Sequence, residues 1–326
     1  MAASITISQL PPYGFLNRKW MEDLKKDLIP PDFLLQGRRP TAEQFRAWVA
    51  DLAREIARNL WPIWDRQSES WVGDAAKWAV ELTQADLELL DSLRARLETR
   101  IDARRLNGTH QEFFEEEDGF VIDPTECRFR RVGESYGKYD HKLPARALDK
   151  VRTTFARDGI AASGEVDLAL KQYLQRPRAY QVAALFGRHG YSYEWAKTAV
   201  SPSLVSGHCL DASIAGCYTY LKCKNVLPGD AAQYWAQFTV DMGDRRVFAG
   251  VHYPADNISS WFCALRIAGY IFRGRAREAK NFLWDAIQQR SAVYAAITTA
   301  AQAEPFSPYS GPLKWLADEA RAKPGV

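Results

Sequence analysis

Apolar and aromatic residues recur every three or four positions over long stretches of this chain, a period that predicts α-helices. The Thr41–Gln44 segment fits a capping box, so a first helix is expected to start there and run to Leu60. Ser70–Leu82 and Ala85–Ile101 show the same period and are predicted to be two further helices. The apolar positions that define the first helix are Phe45, Trp48, Val49, Leu52, Ile56 and Leu60.

The pattern changes between Thr109 and Leu143, where charged residues, glycines and a proline predict a long loop or small irregular element. Helical periodicity returns from Ala145 onward, whereas strand-like alternation is scarce. We therefore predict an all-α protein. An N-terminal helical layer with its connecting loop (1–143) would cover a helical bundle (144–326) in one compact unit. The later predicted helices are 181–186, 210–221, 231–238, 259–271, 293–303 and 313–322.

Composition and charge narrow the classes of protein. Of 326 residues, 47% are hydrophobic and 25% are charged, which is ordinary for a globular protein. The 43 cationic and 40 acidic side chains leave a net charge of only +3, too small to indicate nucleic-acid binding. A small acidic molecule is the better expected partner.

Targeting signals and cysteines suggest a compartment. Neither a signal peptide nor an apolar run of transmembrane length is visible in the sequence, so we expect a soluble, cytoplasmic protein. The five cysteines are odd in number and lack metal-type spacing, which predicts buried free thiols in a reducing compartment.

Candidate chemistry is concentrated in the second half of the chain, beginning with Lys171 and Arg178. They are seven residues apart, two helical turns, so both side chains can converge on one anion from a single helix face. Pro177 also allows a bend between them. Taken alone, these residues and Arg176 would be interpreted as a solvated basic face.

Two further segments add imidazoles. Ser206-Gly207-His208 precedes a predicted helix, where free amides and the helix dipole favour an anion, although a structural cap would look the same. Arg246 is followed by His252 and Asp256, which are four residues apart, so the carboxylate can orient the ring if the segment is helical. In isolation that pair is equally consistent with a stabilising contact.

In order and spacing these residues resemble the type 2 phosphatidic acid phosphatase superfamily, which includes class A acid phosphatases and vanadium-dependent haloperoxidases. The resemblance covers roughly Leu170 to Ile271. A register with Arg176-Pro177 would place Ala169 where the family has lysine, so Arg178 is the expected counterpart. Three positions depart from the family pattern: Ala179 and Val205 replace prolines, and Arg245 replaces a serine.

The resemblance implies a helical bundle of that type and a metal-independent phosphatase. His252 would be the nucleophile that forms a phosphohistidine, with Asp256 holding its ring and His208 acting as acid and base. No cofactor would be required, and vanadate would inhibit by binding at His252. The phosphate oxygens would be held by Lys171, Arg178, Ser206, Gly207 and Arg246. Arg245 departs from the family pattern and leaves two alternatives open: an additional contact with the substrate, or a side chain that extends into solvent.

Alternatives remain open at this point. A vanadium-dependent haloperoxidase would use the same residues with vanadate as its cofactor, although the segment from Gly250 to Asp256 reads more like the phosphatases. A non-catalytic anion-binding helical protein is a third hypothesis. The substrate is expected to be a small or amphiphilic phosphorylated molecule: a soluble monoester, a prenyl diphosphate or a lipid phosphate. The sequence leaves a homo-oligomer open as well.

Overall fold

A computed structural model describes residues 29–65, 67–74, 79–100, 154–159, 161–191, 201–225, 229–248 and 250–323. These parts of the chain are mostly helical, as predicted. The main elements are α1 (Ala42–Asn59), β1 (Ile63–Asp65), β2 (Ser70–Val72), α2 (Ala79–Arg100), α3 (Val166–Leu174), α4 (Ala179–Val182), α5 (Gly207–Cys223), α6 (Gly229–Phe248), α7 (Pro254–Ile271), α8 (Ala276–Arg290), α9 (Ala292–Ala303) and α10 (Ser310–Arg321).

The capping box predicted for the first helix is confirmed. The Gln44 N–H donates to Thr41 Oγ1 at 3.2 Å, and the Thr41 N–H donates to Gln44 Oε1 at 2.9 Å. Both bonds satisfy amides that the helix itself leaves unpaired. The predicted apolar stripe is buried from Phe45 to Ile56, so α1 packs one face into the core.

The helix predicted over Ser70–Leu82 is wrong in its first part. Ser70–Val72 is a strand that pairs antiparallel with β1, placing Trp64 opposite Trp71 with ring centroids 5.2 Å apart. Asp65 accepts hydrogen bonds from the Gln67 N–H and the Ser68 hydroxyl at the turn. The local turn bonds and the aromatic cross-strand pair therefore outweigh the helical period.

The helix predicted over Ala85–Ile101 is present as α2 but begins earlier, at Ala79. The predicted connecting element at 109–143, the boundary at 143 and Cys127 lie outside the described residues. The other four cysteines are free and buried, as expected. Among the helices that the structure describes, none is long and apolar enough to cross a membrane.

Helix α7 lies at the centre of the molecule. It packs against α2, α5, α6, α8, α9 and α10, and its residues Pro254–Leu265 are all buried. Helices α5 and α6 cross closely at Gly216, where a Cβ atom would lie 2.3 Å from Thr239 Oγ1. Since α7 is buried from its first residue and contacts six other helices, its first turn is held in place by packing.

A partly buried arginine links α7 to both ends of the described chain. Arg266 donates to both carboxylate oxygens of Glu55 in α1, at 2.9 and 3.0 Å. Its Nε donates to Glu319 in α10 at 2.8 Å. Two carboxylates on one guanidinium join the N-terminal helix, the central helix and the last helix.

Asp244 in α6 fixes the start of α9. Its carboxylate accepts hydrogen bonds from the Ser291 hydroxyl at 2.8 Å and the Ala292 N–H at 2.7 Å, and a longer one from the Val293 N–H at 3.3 Å. Asp244 is wholly buried. Asp244 in α6 therefore caps the N-terminus of α9.

We expect Asp244→Ala to lower the free energy of unfolding by about 2 kcal/mol, because the substitution removes a cap and leaves buried donors unpaired. Urea denaturation followed by circular dichroism measures the change. Lys314→Ala is the control, since Lys314 forms a pair with Asp318 while remaining 78% exposed, and should have little effect. Equal stability of the Asp244→Ala and parent proteins would contradict the capping role.

Candidate active site

Three loops meet beside the first turn of α7: Gln175–Arg178, Ser201–Ser206 and Gly250–Tyr253. The Ser203 N–H donates to the Arg176 carbonyl at 2.8 Å, which joins the first two loops. Lys171 Nζ donates to the Pro202 carbonyl at 2.6 Å. Cationic side chains thus hold the loops together as well as lining the space between them.

Lys171 and Arg178 are buried and lie on either side of a bend, so the interpretation as a solvated basic face is wrong. Helix α3 ends at Leu174, and Arg178 precedes α4. The bend permitted by Pro177 is therefore confirmed. Arg178 donates from Nε to the Ser201 carbonyl at 2.7 Å and from one terminal nitrogen to the Val251 carbonyl at 2.6 Å.

Arg246 brings a third cation to the same place from the last turn of α6. Its side chain is buried, and its carbonyl accepts the His252 N–H at 3.2 Å. Burial and the neighbouring charge of Arg178 lower the pKa of Lys171 to about 7. Burial and the charge of Arg246 lower the pKa of Arg178 to about 10. The cluster concentrates positive charge that a bound anion would relieve.

Arg245 precedes Arg246 and is 6% exposed. The sequence left open whether this arginine reaches the substrate or simply extends into solvent. Because the Arg245 side chain is buried, it does not extend into solvent. Its contact with a substrate stays a prediction.

His252 has both ring nitrogens engaged. Nδ1 lies 3.0 Å from Asp256 Oδ2, and Nε2 lies 3.0 Å from a terminal nitrogen of Arg178. A guanidinium only donates hydrogen bonds, so Nε2 must be the acceptor and the ring proton must sit on Nδ1. Burial, followed by the charges of Arg178 and Lys171, holds the pKa of His252 well below its usual range. The ring is therefore neutral, with the lone pair of Nε2 directed toward the cations.

Asp256 divides its two oxygens between different partners. Oδ2 accepts from His252 Nδ1 and from the Tyr253 N–H, both at 3.0 Å. Oδ1 accepts from Arg176 at 3.0 Å. Asp256 lies in the first turn of α7, after Pro254, as the sequence predicted. The helix start therefore positions the imidazole.

The Ser206-Gly207-His208 segment starts α5, as predicted. Ser206 is the N-cap, with its Oγ accepting from the Cys209 N–H at 3.4 Å and its own N–H donating to Ser260 Oγ in α7 at 2.9 Å. A Cβ at Gly207 would lie 2.4 Å from Asp167 Oδ2, so this position excludes a side chain.

His208 is partly exposed, in contrast to the buried His252. It lies close enough to His252 to contribute to the lowering of that ring's pKa, after burial and the three cations. His208 therefore lies on the more accessible side of the same cluster.

Arg176 is the residue whose place the sequence reasoning missed. It is fully buried, donates to Asp256 Oδ1, and donates to Asp86 Oδ2 of α2 at 2.7 Å. Burial raises the pKa of Asp86 to about 6 in spite of the charge of Arg176. One sequence signal was available: Asp86 lies four residues from both Leu82 and Leu90, on the apolar face of its helix.

The arrangement suits a tetrahedral oxyanion. Three buried cations and a helix N-terminus surround a neutral imidazole with an available lone pair. In the described ranges, no three His, Cys, Asp or Glu side chains lie together in a way that could hold a metal ion.

Comparison with known protein families identifies the part of the chain that carries these residues. Residues 159–280 match the model of the PAP2 superfamily, and this part of the chain is a PAP2 superfamily domain. Searches of curated proteins and of solved structures gave no match. All the predicted site residues lie inside the matched range, whereas Asp86 lies outside it.

Phosphate should stabilise this protein more strongly at pH 6 than at pH 8. Lys171, with its pKa near 7, is cationic below that pH and loses its charge above it, so we expect roughly tenfold weaker phosphate binding at pH 8. Thermal unfolding at increasing phosphate concentrations measures this.

Lys171→Met is the control, because that variant lacks the ammonium group whose charge is lost between pH 6 and pH 8. Its phosphate binding should be weaker and should change less with pH. A parent protein that binds phosphate equally well at both pH values would show that the Lys171 charge does not contribute.

Proposed function

We propose that this protein is a metal-independent phosphatase that hydrolyses a phosphate or diphosphate ester through a phosphohistidine at His252. One observation carries the proposal: His252 Nε2 has its lone pair beside Arg178 while Nδ1 is fixed by Asp256. A neutral imidazole held in one tautomer is a ready nucleophile. The PAP2 superfamily domain at 159–280 supports the same reaction class.

In the first step, His252 Nε2 attacks phosphorus and the N–P bond forms as the ester P–O bond breaks. The electron pair of that bond goes to the leaving oxygen, which takes a proton from His208. Arg178 now donates to Nε2. A phosphate oxygen would replace Nε2 as its acceptor, so substrate binding would release the nucleophile.

The cations act on the developing charge. Lys171, Arg178 and Arg246 would hold the non-bridging oxygens together with the Ser206 hydroxyl and the Gly207 N–H. Because these donors are fixed by loop contacts before substrate arrives, little reorganisation is needed in the transition state. The ring of His252 becomes cationic when it is phosphorylated, and the Asp256 carboxylate would stabilise that charge.

In the second step, water attacks phosphorus and the N–P bond breaks, returning its electron pair to Nε2. His208, neutral after the first step, accepts a proton from the water. The products are inorganic phosphate and the starting form of the enzyme. Partial exposure of His208 is compatible with both a leaving group and a water approaching from that side.

The buried cations favour an anionic substrate group. We propose a small or amphiphilic phosphate or diphosphate ester, with Arg245 as an additional contact. Vanadate would bind at His252 and act as an inhibitor. The haloperoxidase and the non-catalytic alternatives share the pocket, so the assay has to separate them.

The test is release of inorganic phosphate from a panel of monoesters and diphosphates in the presence of a chelator. We expect release that vanadate inhibits and that His252→Ala lowers by at least about a thousandfold, because the nucleophile is lost. His189→Ala is the matched control, since His189 is an exposed histidine, and should retain full activity.

Three outcomes would contradict the proposal. Retained activity in folded His252→Ala would exclude the phosphohistidine. No phosphate release from any ester, with bromide oxidation by peroxide once vanadate is added, would establish the haloperoxidase instead. Phosphate binding without either activity would favour the anion-binding protein.

A further inference from the structure

The Asp256 carboxylate has one oxygen that does not face the nucleophile. Oδ2 serves His252 and the Tyr253 N–H, whereas Oδ1 accepts from Arg176 at 3.0 Å. Both partners of this ion pair are fully buried. Removing one partner of a buried ion pair leaves the other charge uncompensated, so the place of Asp256 in the site depends on Arg176.

Arg176 itself is held in one orientation. Its second terminal nitrogen donates to Asp86 Oδ2 at 2.7 Å. Its guanidinium lies over the Tyr253 ring at 3.9 Å and near the Trp61 ring at 4.9 Å. Because both terminal nitrogens are paired and two aromatic rings contact the guanidinium, the Arg176 side chain is held in this orientation.

Asp86 comes from α2, outside the PAP2 superfamily domain, and it also contacts α7 directly. Its Oδ1 accepts the Ala255 N–H at 3.1 Å, one residue before Asp256. The same oxygen accepts the Tyr309 hydroxyl at 2.8 Å. The chain before the domain and the chain after it therefore meet at the residue next to the candidate orienting carboxylate.

We infer that Arg176 and Asp86 are positioning residues: they hold Asp256 in place and aimed at His252, so that helix α2 completes the active site. The inference rests on the proposed phosphatase function. Neither residue touches the substrate. Their effect passes through Asp256 to the direction of the His252 ring, and to the stability of its phosphorylated, cationic form.

Arg176→Lys and Asp86→Asn test the inference. We expect kcat to fall about ten- to a hundredfold in each, the usual effect of removing a group that orients a catalytic side chain. Inhibition constants of inorganic phosphate should change less than about threefold, because Lys171, Arg178 and Arg246, which would hold the phosphate oxygens, remain in place. Arg176→Lys should retain more activity than Arg176→Met, since a lysine keeps the charge but cannot bridge both carboxylates.

Arg266→Lys is the matched control. Arg266 also bridges two carboxylates: it joins α7 to α1 through Glu55 and to α10 through Glu319. It lies ten residues after Asp256, about 15 Å farther along the helix. Arg266→Lys should lower the melting temperature without lowering kcat.

A readout that does not require turnover is the ¹⁵N spectrum of His252. In protein labelled with ¹⁵N-histidine, assigned with His252→Ala, the parent should show Nδ1 protonated and Nε2 unprotonated. In folded Arg176→Met and Asp86→Asn, the Asp256 carboxylate should no longer be held against Nδ1, so the Nδ1 signal should depart from the parent spectrum even though Arg178 still donates to Nε2. The control Arg266→Lys should retain the parent spectrum.

These readouts separate the two proposals. A parent protein without phosphatase activity would refute the proposed function, and the ¹⁵N measurement would still decide the positioning role. An active parent whose Arg176 and Asp86 variants keep kcat and the parent spectrum would refute the inference alone. An equal loss of kcat in Arg266→Lys would also refute it, because the effect would then follow general stability.

Discussion

The Asp256 carboxylate is shared between an imidazole and a guanidinium with no access to water, and this sharing organises the pocket. Its Oδ2 fixes the proton of His252 on Nδ1, and its Oδ1 pairs with Arg176. Because charges buried away from water are stable only when paired and hydrogen-bonded, each partner depends on the next. One connected network of buried polar contacts therefore runs from Asp86 through Arg176 and Asp256 to His252.

The same burial brings cationic side chains close together. Lys171 and Arg178 are held mainly by backbone carbonyls, which supply partial charge only. Their pKa values fall to about 7 and about 10 as a result of burial and mutual repulsion. A pocket that is electrostatically unfavourable when empty gains most from an oxyanion, which is how preorganised sites bind developing negative charge.

The sequence predicted the helical fold and the spacing of the site because both follow from local patterns: apolar periods, caps and three short motifs. It missed features set by contacts between distant parts of the chain. Ser70–Val72 became a strand through pairing with a preceding segment. The role of Arg176 differs from that of Arg178 because of its tertiary partners. Asp256 lies 80 residues away in the sequence and Asp86 lies 90 residues away. The spacing within a short motif gives no information about either of these distant partners.

The central claim is that His252 carries the phosphoryl group, and trapping the intermediate tests it most directly. Protein mixed with a ³²P-labelled substrate, quenched within milliseconds in alkali and digested, should yield one labelled peptide containing His252. The label should survive base and be lost in acid, as expected for an N–P bond. Label on a hydroxyl or on another histidine, or turnover with no labelled protein at any quench time, would contradict the account.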